Sequence, residues 1–97
     1  MHEQSKIYQN IKDGKLDTAL KDLFENIEEN PAIVENYINA GIVLSDVGEI
    51  EKAERFFQKA LTIEPENGAV YYNLANIYYN EERYNEAIKL YQTSLQY

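Results

Sequence analysis

Between Val34 and Asp46 apolar residues fall at positions 34, 37, 38, 42, 43 and 44, the three-and-four spacing of one helix face rather than the alternation of a strand. A second stripe, Ile50, Ala53, Phe56, Phe57, Ala60 and Leu61, predicts a helix from Ile50 to Ile63. Gly48 stands between the two, where a helix that stops and turns needs a left-handed backbone position. The same alternation of pattern and punctuation predicts helices near 68–80 and 83–96, and another from Leu16 to Glu28. Ahead of these, Ile7, Tyr8 and Ile11 give a short, polar helix over roughly Glu3 to Lys12.

The punctuation is periodic. Asn30-Pro31 and Glu64-Pro65 lie 34 residues apart, as do Gly14 and Gly48, and Ala19, Ala53 and Ala87. Glu82 takes the place of a third Gly. Laying residues 34–63 over 68–97 gives five identities: Tyr37/Tyr71, Asn39/Asn73, Ala53/Ala87, Gln58/Gln92 and Leu61/Leu95. Leu44/Tyr78, Ile50/Tyr84 and Phe57/Tyr91 keep bulk and apolarity. A fixed period of this length points to a stacked repeat in which each unit is a pair of helices. Neither helix of such a pair can hide its apolar face alone, so neighbouring units supply the core.

On these residues the chain resembles the tetratricopeptide repeat family. The family's slots for aromatic, Leu, small, Tyr, Ala, aromatic, Ala and Pro are occupied, from Val34, by Tyr37, Ala40, Gly41, Leu44, Ala53, Phe57, Ala60 and Pro65. From Gly68 they are occupied by Tyr71, Leu74, Ala75, Tyr78, Ala87, Tyr91 and Ser94, and the chain ends before the Pro. The first unit keeps only its second half: Gly14, Leu16, Ala19, Leu23 and Pro31. The resemblance implies an all-α fold, a right-handed superhelical stack of antiparallel helix pairs. It sets one domain over 1–97, with repeats at about 1–33, 34–67 and 68–97. The small residues Gly41, Ala53, Ala60, Ala75 and Ala87 are expected to let helices approach closely, and Tyr37, Phe57, Tyr71, Tyr78 and Tyr91 to fill the spaces so made.

Charge narrows the function classes. Nine Lys and Arg against 17 Asp and Glu leave a formal charge of −8, unfavourable for a nucleic-acid surface or an anionic membrane. There is no Cys, hence no disulfide framework or thiolate chemistry. Apolar runs are too short to span a membrane, and the polar start, Met1 to Lys6, carries no apolar leader, so the chain reads as soluble and cytoplasmic. The sole histidine, His2, lacks the second His of a zinc-protease helix, since Lys6 holds that position. No Ser has another His as base, and the acidic clusters Glu25/Glu28/Glu29, Glu64/Glu66 and Glu81/Glu82 lack calcium-loop spacing. The chain is expected to be non-catalytic, with no cofactor and no metal.

The resemblance also implies where binding would sit, because the first helix of each unit lines a concave groove in this family. The groove slots hold Glu35, Ile38, Asn39, Ile42, Ser45 and Asp46 in the second unit, and Ala69, Tyr72, Asn73, Asn76, Tyr79 and Asn80 in the third. Asn offers a donor and an acceptor to an extended peptide backbone, and Tyr offers flat apolar area with a polar tip. The five slots of the carboxylate clamp that grips acidic chaperone tails are Gln4, Tyr8, Asn39, Ala69 and Asn73, without a cation among them. Residues 22–51 and 60–82 contain no Lys or Arg at all. The expected ligand is therefore a neutral-to-basic extended peptide or partner surface. Ile88, Tyr91 and Leu95 on the last helix mark a second expectation, a fragment of a longer array or an assembly element that self-associates through that face.

Overall fold

The computed structural model describes the backbone of residues 15–97 and the side chains of 18–97. The helix over Glu3 to Lys12, the clamp slots Gln4 and Tyr8, and His2 lie outside the described residues. Five helices follow in order: α1 Lys15–Glu29, α2 Val34–Asp46, α3 Ile50–Ile63, α4 Gly68–Asn80 and α5 Tyr84–Gln96. There is no strand among the described residues. The bounds of α2, α3 and α4 are those the apolar pattern predicts, while α1 is one residue longer at each end and α5 starts one residue later.

Helices pack with their neighbours in sequence, α2 on α3 and α4 on α5 most extensively, while α4 also touches α2. The core that holds them runs through Leu20, Val34, Tyr37, Leu44, Ala53, Phe57, Ala60, Val70, Leu74 and Ile77. Small residues set the spacing. A Cβ added at Gly41 would lie 2.7 Å from the Phe57 ring, so the Gly is what allows α2 and α3 to close around that ring. Phe57 is 1% exposed, and burying such a side chain contributes on the order of 1.5–3 kcal/mol. Of the expected space-filling aromatics, only Tyr37 and Phe57 are buried; Tyr71, Tyr78 and Tyr91 are half-buried. All three lie on α4 and α5, the outermost helix pair among the described residues.

The 34-residue period is visible in bonds as well as in residues. Tyr37 donates its hydroxyl hydrogen to the Pro31 carbonyl at 2.7 Å, and Tyr71 does the same to Pro65 at 2.8 Å. The turns repeat likewise. At the end of α2, Gly48 N–H bonds Ser45 O at 3.1 Å and Glu49 N–H bonds Leu44 O at 2.8 Å. At the end of α4, Glu82 N–H bonds Tyr79 O at 3.0 Å and Arg83 N–H bonds Tyr78 O at 2.9 Å. Both are Schellman caps, which require one residue at positive φ. Gly48 has φ 88°, and Glu82, in the equivalent place, is forced to φ 64°.

Candidate functional site

The first helices of two consecutive pairs, α2 and α4, bring their C-terminal halves side by side. Between them lies a cleft of about 270 Å³. Ile42, Ser45 and Asp46 line it from α2, and Asn73, Asn76 and Asn80 from α4, with the edge of Phe57 at its floor. Six of the twelve groove slots thus share one cleft: Ile42, Ser45, Asp46, Asn73, Asn76 and Asn80. Glu35 and Asn39 are exposed on α2 outside it, and Ile38 and Ile42 pack partly against the core. Tyr72 and Tyr79, 54% and 55% exposed, are the chain neighbours of Asn73 and Asn80 on α4 but do not line the cleft.

Local bonds orient the cleft's amides. Asn73 Nδ2 donates to the Ala69 carbonyl at 2.8 Å, which leaves its Oδ1 free to accept from a ligand. Asn76 Oδ1 accepts the Tyr91 hydroxyl, which leaves its Nδ2 free to donate. Tyr91 also packs its ring against Tyr72, centroids 5.8 Å apart, and Tyr84 meets Tyr79 edge-on at 5.3 Å. Tyr91 is therefore a positioning residue for Asn76 and Tyr72. The repeat pattern marks it as a space-filling aromatic and as part of the self-association face, and gives no sign of this role, because a contact across α4 and α5 depends on how the two helices rotate against each other.

The opposite side of α3 carries the charge variety that the cleft lacks. Glu51, Glu54, Arg55, Gln58, Lys59 and Thr62, with Tyr78 of α4, line an open depression of about 560 Å³. The apolar stripe of α3 gives no sign of it, since its lining is the polar face of that helix. Arg83 sits over the Tyr78 ring at 4.2 Å and grips Glu86 through two bonds of 2.7 and 2.8 Å. That grip holds the Glu86 carboxyl below its ordinary range and the Arg83 guanidinium above its own. Partial burial, reinforced by Glu81, pushes the Glu54 carboxyl up, and burial with Glu54 close by raises Tyr78.

Among the described residues no three His, Cys, Asp or Glu side chains are arranged to hold a metal ion, and no helix is long and apolar enough to cross a membrane. Of the self-association face, Ile88 and Leu95 are 52% and 86% exposed, whereas Tyr91 is committed to Asn76 and Tyr72.

Comparison with known proteins places the fold. The profile of the family described as tetratricopeptide repeat matches residues 44–97, more than half of the chain. A solved structure described as "Crystal structure of MamA" superposes with a TM-score of 0.78 at 22% identity, over 96% of this chain and 53% of that one. A second, of MamA AMB-1, gives a TM-score of 0.74 at 26% identity, over 92% of this chain and 48% of that one. The chain spans about half the length of these structures. No curated protein matches it.

Proposed function

We propose, from the premise that the chain belongs to the tetratricopeptide repeat family, that it acts as a non-catalytic protein–protein interaction module. Its concave groove takes a neutral-to-basic extended peptide or partner surface. The observation that carries the reading is the cleft between α2 and α4. Its lining contains a carboxylate, three amides and a hydroxyl, and no cation. Around it Glu35, Ile38, Asn39, Ile42, Asp46, Tyr72, Asn73, Asn76, Tyr79 and Asn80 form the contact surface. Tyr72 and Tyr79 are seven residues apart on one helix, about 10 Å along its axis, which is the reach of about three residues of extended peptide.

The test is selection from a library of extended peptides on the immobilised protein, followed by calorimetric titration of the selected sequences. Neutral and basic peptides should bind, and N39A/Y72A/N73A, checked for helicity, should weaken them at least about tenfold. Selection of acidic, carboxylate-terminated peptides, or equal affinity for the variant, refutes the groove assignment.

A second reading, self-association through the last helix, is favoured by the exposure of Ile88 and Leu95. Sedimentation equilibrium decides it. A mass that rises with concentration and falls back in I88E/L95E supports assembly, and a monomer at high micromolar concentration ends it.

A further inference from the structure

We infer that the α2–α4 cleft is an arginine side-chain pocket, with Asp46 as the counter-charge; this rests on the groove reading and names the side chain that the groove selects. Five features point to a cation of that shape. The cleft's single formal charge is the Asp46 carboxylate, and neither α2 nor α4 contains a Lys or Arg. Asp46 and Asn80 are the last residues of their helices, and both last turns lack a basic side chain, so two helix C-termini, their carbonyls met only by the N–H groups of the Schellman turns, add a partial negative field near the same place.

The acceptors are also numerous. With its Nδ2 held by the Ala69 carbonyl, Asn73 keeps Oδ1 available, adding to the two Asp46 oxygens, the Asn80 amide oxygen and the Ser45 hydroxyl; Asn76, whose Oδ1 takes the Tyr91 hydroxyl, is the one amide that offers its donor instead. A lysine ammonium has three donors and saturates early, whereas a guanidinium has five in a planar fork that matches a carboxylate with neighbouring amide oxygens. The volume permits it: about 270 Å³ leaves room for the seven heavy atoms of an arginine side chain. Ile42 supplies an apolar wall for the methylene stem.

The probe is Nα-acetyl-arginine N-methylamide, compared with its citrulline analogue, which keeps the shape and removes the charge. Titration into the isotopically labelled full chain is read on the side-chain amide resonances of Asn73, Asn76 and Asn80. The arginine probe should shift all three saturably, the citrulline probe at least about tenfold more weakly, and D46N should abolish the difference. Equal shifts from the two probes overturn the pocket, and so do shifts confined to the Glu51/Glu54 face; both comparisons use the unsubstituted protein and need no variant to fold. Peptide selection separates this inference from the reading beneath it. Peptides selected without arginine leave groove binding standing and overturn the pocket. Saturable arginine shifts with no peptide selected support the pocket and overturn the groove.

Discussion

The two Schellman turns offer a reciprocal experiment in one molecule. At Gly48, φ is 88° and an added Cβ would meet nothing within 4 Å, so Gly48→Ala costs only conformational strain. A left-handed L-residue costs roughly 1–2 kcal/mol. Reduced freedom of the unfolded chain returns about 0.4–1 kcal/mol, and the net is a destabilisation of about 1 kcal/mol. Glu82 holds the equivalent position at φ 64° with a side chain, so Glu82→Gly runs the cycle backwards and stabilises by about 1 kcal/mol. In a chain of 97 residues that corresponds to roughly 4–8 °C in midpoint, read by thermal circular dichroism. Glu82 is flanked by Glu81 and followed by Glu86, so removing its charge has an effect of its own; Glu82→Gln removes the charge and keeps the strain. If Glu82→Gln stabilises as much as Glu82→Gly, the gain is electrostatic and the strain argument is refuted. A neutral Gly48→Ala refutes it equally.

Three further outcomes follow from the packing and the charges. Gly41→Ala drives a methyl into the Phe57 ring and should destabilise by about 1–3 kcal/mol of overpacking, less about 1 kcal/mol of improved helix propensity; F57L in the same chain should recover part of the loss in urea titrations. Tyr37→Phe should cost about 0.5–1.5 kcal/mol in the same assay, and Tyr71→Phe less, because the Tyr37 hydroxyl bond is part-buried and the matching Tyr71 bond is exposed. Glu54 titrates above its ordinary value of 4.5, so its ionisation opposes folding: that penalty is absent at pH below the ordinary value and present once pH has risen through the raised one. Glu54→Gln should therefore stabilise at neutral pH and lose its advantage on acidification, followed by chemical denaturation across pH 3–8. A variant that stabilises equally at every pH would place the effect in packing rather than charge.

Much of the fold is legible before any coordinates. Gly48, Pro31 and Pro65 interrupt stripes of helical spacing, and a chain that must turn at a Gly and restart near a Pro leaves little latitude in where α2, α3 and α4 begin and end. The cleft was half legible. The pattern groups Asp46, Asn73, Asn76 and Asn80 as members of one surface, but it gives no account of which of them meet or how each amide is turned. Those facts come from the Ala69 carbonyl, one turn back on the same helix and reached by a choice of rotamer, and from Tyr91, whose position depends on helix rotation. The same holds for Glu82. A missing Gly is plain in the repeat, yet only the bonds of Glu82 and Arg83 to α4 show that the turn keeps the Gly's geometry without the Gly.

The unmatched carboxylate of the cleft has a kinetic side. Arg55 and Lys59 are balanced in their depression by Glu51 and Glu54, whereas Asp46 stands among neutral amides with no cation beside it. A chain of net charge −8 with such a site draws an approaching cation toward it before contact. Productive encounters are then over-represented among collisions at low ionic strength, and a Debye length of about 8 Å erases most of that bias at physiological salt. Added salt should slow the arrival of a basic partner far more than it hastens its departure, so the unmatched charge governs how quickly the surface is found.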